Sequence, residues 1–444
     1  MSHFFGSVWW FLVTLGVLVT FHEFGHFWVA RRFGVRVLKF SVGFGKPLWS
    51  RKGRDGVEYA IGAIPLGGYV KFLDAREADN PEYVAAQAGE FNAAPVWQRM
   101  AIAAAGPVFN IVFTLVAFWV MFMVGKPDYP PVLGAPQGLA AEAGLAAGNR
   151  IVAVDGEAID SMSAATMAIG EKAILRRDVI LDVTDAQGRR TQHTLALSKL
   201  PADAADNEQT FEKIGLASQP MDAVIGEVPN GPAARAGLHV DDRILQVNDV
   251  KVANFPELSK AIQSEAKKDA RLHLLVERAG ATLTFNVDAA QDEVNGQPHW
   301  RISIGGRDTR EATVRYGPLQ AVPAAVRETW KTTVSTIGML YNIVTGQVSL
   351  KNVHSAITIA EVANASANMG LAWFLSFLAV ISLSLGILNL LPIPILDGGH
   401  LLYYLIELIK GRPLSERTLI AGQYVGLAML VTLMSIAFYN DLMG

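Results

Sequence analysis

The chain has 444 residues, of which 51% are hydrophobic and 18% charged, with a formal net charge of −3. That balance excludes a basic nucleic-acid binder and points to a chain that lies partly in a bilayer and partly in water. There is no cysteine, which excludes disulfides, thiolate metal sites and a cysteine nucleophile. A metal ion here would be held by His, Asp or Glu.

Four stretches are apolar over the roughly 20 residues that a bilayer span requires: about 5–30, 101–124, 371–391 and 419–438. The first has no basic residue ahead of it, no small-residue cleavage site, and an apolar run too long for a signal sequence, so it is expected to stay as a helix. Arg31, Arg32, Arg36, Lys39, Lys46, Arg51, Lys52 and Arg54 follow it, and Lys410, Arg412 and Arg417 precede the fourth stretch. Positive charge marks cytosolic loops. Both termini and the long region between the second and third stretches then lie outside, which in a bacterium with two membranes is the periplasm.

In chain order, 1–34 is the first transmembrane helix. Residues 35–97 hold a glycine-rich β region lying against the membrane, where Tyr59, Ile61 and Ala63 alternate and Pro65, Gly67 and Gly68 punctuate, followed by a polar loop. The second transmembrane helix, 98–126, carries Pro107 and is expected to kink there. Residues 127–220 and 221–310 form an internal repeat. Leu139–Leu145 matches Pro232–Leu238, and Gly144, Arg150 and Asp155 fall in register with Gly237, Arg243 and Asn248. Two copies of one small domain follow from that spacing. Residues 311–368 include an amphipathic helix whose face reads Ala325, Thr329, Thr333, Ile337, Leu340, with Trp330 and Tyr341 suited either to a membrane interface or to packing of the helix on the repeats. The third transmembrane helix lies in 369–411 and the fourth in 412–444.

The chemistry is concentrated in His22-Glu23-Phe24-Gly25-His26 of the first span. Residues four apart share a helix face, so His22 and His26 can point at one ion. Zinc lowers the pKa of a bound water to about 7, and Glu23 is placed to take that water's proton and return one to the leaving amine. Three ionisable residues within a bilayer span cost about 2.5–3.5 kcal/mol each on insertion scales, which chance placement does not explain. A catalytic zinc takes three protein ligands and keeps one open position. Asp397 and His400, in Asn389-Leu-Leu-Pro392-Ile-Pro394-Ile-Leu-Asp397-Gly-Gly-His400, are able to supply the third. Asp397 is the stronger candidate, unless it only caps the following helix.

These motifs resemble those of the site-2 protease family of intramembrane zinc metalloproteases. Gly43-Phe-Gly, Pro65-Leu-Gly-Gly-Tyr-Val-Lys71 and Gly106-Pro-Val-Phe-Asn110 extend the resemblance over essentially the whole chain. One departure is His354-Ser355-Ala356, where the family usually shows a Gly-Pro pair. The resemblance implies an α-helical membrane protein with four transmembrane helices, a membrane-associated β-hairpin region and two tandem α+β PDZ-like domains, in a bacterial inner membrane. It implies His22, His26 and Asp397 as zinc ligands, Glu23 as general base, and Asn389 as a group that binds substrate backbone or steadies the oxyanion. Gly67, Gly68 and Tyr69 would offer a strand edge to the unwound substrate. Leu133-Gly134 and Ile225-Gly226 are candidate peptide-binding loops of the repeats. The implied substrates are single-span membrane proteins after a first cut, of the anti-sigma factor kind, and remnant signal peptides. Two other classes fit parts of the sequence. A metal transporter would need further ionisable residues along the spans, where Glu407 is almost the only one, and a non-catalytic PDZ scaffold would have no use for Glu23.

Overall fold

The computed structural model describes residues 2–75, 88–200, 214–216, 221–294, 297–307, 314–346 and 355–443. The chain divides into two units, Met1–Lys126 with Val314–Gly444, and Pro127–Thr313.

Helix α1 (Ser2–Arg32) is an apolar run that ends with Arg31 and Arg32, whose charge complements the negative helix terminus, and with Gly34 at φ 78°, a conformation glycine adopts without strain. Strands β1 (Val37–Lys52) and β2 (Glu58–Phe72) pair as a bent hairpin. Phe40 pairs with both Tyr59 and Val70, and Ser41 with both Ala60 and Tyr69. The first half of β1 is thus flanked by both halves of β2. Ala60 is buried, while Ile61, Ile64, Phe44, Leu48 and Trp49 are exposed, so the expected alternation is present but its larger side chains face outward. Helix α2 (Val96–Val124) contains Pro107 within a single element.

The second unit contains two four-stranded sheets of like order. In the first, α3 (Gly138–Glu142) leads to β3 (Arg150–Val154), β4 (Glu157–Ala158), α4 (Met162–Ile174), β5 (Val179–Thr184) and β6 (Arg190–Leu195), in strand order β4-β3-β5-β6. In the second, β7 (Ile225–Glu227) and α5 (Pro232–Arg235) lead to β8 (Arg243–Val247), β9 (Val250–Lys251), α6 (Phe255–Ala266), β10 (Arg271–Arg278) and β11 (Ala281–Asp288). That sheet has the order β11-β10-β8-β9. A hairpin of β12 (Ala290–Val294) and β13 (Gln297–Arg301) follows, then β14 (Gly305–Gly306), which pairs with β7. Each sheet has its own apolar core. Asp155 and Asn248 both adopt positive φ, 49° and 51°, and both side chains accept a backbone N–H of the neighbouring strand, from Ile180 at 2.9 Å and His273 at 2.9 Å. Asp and Asn tolerate this conformation at such turns. The side chains of Leu133 and Ile225 are buried in the two cores.

Helix α7 (Pro318–Val344) buries Ala321, Ala325 and Thr329, with Ala325 against Ala117, Phe118 and Met121 of α2. The predicted inward face holds only this far. Ile337 is exposed, together with Leu319, Val322, Val326, Trp330, Val334, Tyr341 and Val344, because beyond Thr329 no residue of the helix is buried. Helices α8 (Ala356–Asn368), α9 (Leu371–Leu390), α10 (Asp397–Lys410) and α11 (Glu416–Met443) complete the unit. His354 lies outside the described residues. Ser355 caps α8, and Asp441 of α11 accepts from its N–H at 3.0 Å and from its hydroxyl at 2.5 Å. Among the described residues four helices are long and apolar enough to cross a membrane: Phe4–Arg32, Val96–Val124, Leu371–Leu390 and Glu416–Asp441.

Candidate metal centre

The site forms where α1, α2, α9 and α10 converge, and small residues let them do so. A Cβ on Gly25 would strike the Ala105 carbonyl of α2, and one on Gly386 of α9 would lie 3.1 Å from the Pro107 carbonyl. Close backbone approach through glycine is the usual way helices pack in lipid, where no hydrophobic effect drives them together. Gly106 opens the remaining space. A Cβ there would overlap the His26 ring and lie 2.7 Å from His22 Cε1.

His22 and His26 come together from one face of α1, as their spacing requires. Asp397 reaches them from the first turn of α10. His22 Nε2 is 3.1 Å and His26 Nε2 is 3.5 Å from Asp397 Oδ2, and the two Nε2 atoms are 3.3 Å apart. Ligands at 2.0–2.1 Å from a tetrahedral zinc stand about 3.3–3.4 Å from one another, so this triangle suits such an ion. His26 Nδ1 is 2.8 Å from the Ile102 carbonyl of α2, and His22 Nδ1 is 3.2 Å from the Asn110 side-chain amide.

Asp397 is placed by the segment before it. α9 stops at Leu390, ahead of Pro392 and Pro394, and the chain turns back through six residues before α10 begins. Side chains at Gly398 or Gly399 would collide with the backbone of Leu390–Leu391 or of Ile393–Pro394; the Asp-Gly-Gly sequence lets this turn fold onto the helix start. His400 is exposed, with its ring centroid 6.2 Å from Tyr403 and 6.4 Å from Tyr404, and is not part of the group formed by His22, His26 and Asp397.

Glu23 is adjacent to the triangle on α1, and β2 runs beside it. A Cβ on Gly68 would lie 2.9 Å from Glu23 Cγ and 2.8 Å from Val19 Cγ1. The backbone at Gly68 therefore lies against the Glu23 side chain. Gly67 has φ 147° and abuts the Phe44 ring, which stacks on Tyr69 at 6.2 Å. Asn389 occupies the last turn of α9 and is partly exposed. The sequence reading takes Gly106 and Asn110 as marks of a kink and as part of the Gly106-Pro-Val-Phe-Asn110 motif, without placing them at the site, and does not single out Ile102; their spacing of four within an apolar span is the available signal.

A carboxylate beside two imidazoles and a neighbouring strand can bind a divalent cation and take up a proton while holding a peptide backbone. Comparison with known proteins agrees. Residues 10–433 match Peptidase family M50. A protein of Xylella fastidiosa (strain 9a5c) bearing a zinc metalloprotease name is 45% identical over 450 residues, covering 100% of both chains. The Regulator of sigma-E protease RseP of Salmonella typhimurium (strain 14028s / SGSC 2262) is 39% identical over 442 residues and that of Escherichia coli (strain K12) 39% over 441, each covering 97% of both chains. The chain belongs to peptidase family M50, the site-2 proteases, and is a zinc metalloprotease of that type.

Proposed function

We propose that the protein cleaves the transmembrane segment of single-span membrane proteins already shortened by a first cut, of the anti-sigma factor kind, and remnant signal peptides as well. The observation that carries this reading is the ligand triangle of His22, His26 and Asp397 beside Glu23 on a helix able to span a bilayer. Zinc held there would supply a polarised water and a Lewis acid for the scissile carbonyl. Glu23 accepts the water's proton and delivers it to the leaving nitrogen. The side-chain amide of Asn389 donates to the substrate carbonyl or its oxyanion.

A helical substrate hides its peptide bonds in its own hydrogen bonds, so it must unwind before it is cut. The Gly67-Gly68-Tyr69 segment of β2 supplies a strand edge along which the unwound segment pairs, and its position against Glu23 supports that role. The exposed apolar side chains of the hairpin, Leu48, Trp49, Ile61 and Ile64, suit immersion in lipid. The two repeats act as PDZ-like domains that exclude unprocessed substrates. In the second, a cleft of ≈ 480 Å³ lies between Phe255, Leu258 and Ile262 of α6 and the segment Ile302–Gly305, which suits an extended peptide end. The positive-charge distribution supports an orientation with both termini and the repeats on the periplasmic side of the inner membrane.

The test is Glu23→Gln in purified, detergent-solubilised protein. The amide keeps the shape but accepts no proton, so zinc per protein is expected to stay at the wild-type value while cleavage of a tagged single-span peptide is abolished. Near-normal cleavage overturns the mechanism.

A further inference from the structure

Both imidazoles of the metal centre are held from behind by one face of α2. Ile102, Gly106 and Asn110 are four residues apart and so lie in line. Ile102 meets His26, Gly106 gives both rings room, and Asn110 meets His22. Asn110 is fully buried. Its backbone carbonyl accepts from Thr114 Oγ1 at 2.9 Å and from Ser382 Oγ of α9 at 3.0 Å, which pins the residue between two helices. Of its side chain, one end touches His22 Nδ1 and the other has no hydrogen-bond partner among the described residues.

The chemistry fixes which end faces the ring. Both histidines turn Nε2 toward the ion position. A neutral ring that ligates through Nε2 carries its proton on Nδ1 and donates there. For His26 the Ile102 carbonyl accepts that proton. For His22 the acceptor must be the Asn110 carboxamide oxygen, since the amide nitrogen would set one N–H against another. The oxygen and nitrogen of a carboxamide exchange places by a half-turn of the group, so the observed position serves this bond without any movement of the residue.

Resting on the zinc reading above, we propose that Asn110 is a positioning residue whose side-chain oxygen accepts the Nδ1 proton of His22 and fixes the tautomer and ring plane in which Nε2 binds the ion. Groups of this kind behind a ligating histidine set metal affinity by about 10–100-fold.

The experiment compares Asn110→Leu, Asn110→Ala and Asn110→Asp in full-length protein. The zinc dissociation constant is read by competition with a chromophoric chelator, and thermal unfolding is recorded for the metal-stripped proteins. Leu fills the site and Ala leaves space, but neither accepts a proton. Both are expected to bind zinc about 10–100-fold more weakly while the metal-stripped forms unfold as cooperatively as wild type. Asp accepts the same proton and is expected to retain affinity near the wild-type value. Leu and Ala variants with wild-type zinc affinity overturn the proposal, as does an Asp variant as weak as they are. His22→Ala, measured alongside, separates the two readings: if it too keeps wild-type affinity, the zinc site itself has been placed wrongly.

Discussion

Arg99 and Glu407 form a two-pronged ion pair, with Arg99 Nη2 2.7 Å from Glu407 Oε1 and Nη1 3.2 Å from Oε2. The Arg99 guanidinium also donates to the Ala94 carbonyl at 3.1 Å and lies 5.1 Å from the centre of the Tyr404 ring. The pair joins the first turn of α2 to α10, the helix that begins at Asp397. One end of α10 thus supplies a carboxylate to the site while the other is anchored to the helix that backs both histidines.

Both partners are nearly buried, at 8% and 13% side-chain exposure. Removing one leaves the other as an unpaired buried charge, at a cost of roughly 3–5 kcal/mol. Glu407→Ala and Arg99→Ala are each expected to lower the unfolding temperature and reduce zinc content. The double variant should lose less than the sum of the two. Strictly additive losses in a double-mutant cycle would show that the pair is not coupled.

Asp397→Ala should lose most zinc and all activity, whereas His400→Ala should keep zinc and lose activity only in part. Only Asp397 stands within the triangle; His400 faces Tyr403 and Tyr404. Zinc per protein in the two purified variants checks this. A zinc-free His400→Ala beside a zinc-loaded Asp397→Ala would reverse the roles.

Gly106→Ala introduces one methyl group where both imidazoles sit. It is expected to displace His22 and His26 and cost most of the zinc, while the helix around it gains propensity. Gly16→Ala is the control, because a Cβ there meets nothing within 4 Å. Equal zinc content in the two variants would contradict the close approach at Gly106.

Asp242 gives the second repeat a pH dependence. It is fully buried and accepts from Arg278 Nε and Nη2, both at 2.7 Å, and from the His239 N–H at 2.8 Å. Burial alone would raise its pKa, but the Arg278 and His239 bonds outweigh it and hold the carboxyl below its ordinary value. A depressed folded-state pKa stabilises the fold above the unfolded value of about 3.9, and that contribution is lost as pH falls through the folded value. Protection of the β8 and β10 amides from hydrogen exchange, taken relative to the intrinsic rate at each pH, should therefore fall below about pH 4 in wild type. In Asp242→Asn it should be lower at neutral pH and respond less to acid. Identical profiles would remove Asp242 as the cause.

Deleting 130–307 should leave the site able to bind zinc, since His22, His26 and Asp397 all lie outside that segment. Longer, unprocessed single-span substrates should then become cleavable. A folded, zinc-loaded truncation that still rejects them would end the exclusion role proposed for the repeats.

The histidine pair was legible because four-residue spacing is a local property of a helix, and charge inside an apolar run is conspicuous. The repeat was legible because turns that require positive φ restrict residue type, so Gly144 and Gly237, or Asp155 and Asn248, mark the same place twice. The Arg99–Glu407 pair was not, because nothing local brings residues so far apart in sequence together. Nor was the space that Gly106 provides, since a glycine in a span reads equally as a kink. The burial of Leu133 and Ile225 was not legible, because an apolar residue beside glycine carries no local mark of which way its side chain turns, and only the assembled sheet decides.

The side chains of the candidate metal centre sit at opposite ends of the chain, at His22 and His26 and then at Asp397. At about 5–20 residues per second of synthesis, the first helix waits on the order of tens of seconds for the carboxylate that completes its site. During that interval the growing polypeptide carries His22, Glu23 and His26 without Asp397. On the zinc reading proposed above, completion of the site would await the synthesis of α10, which begins at Asp397.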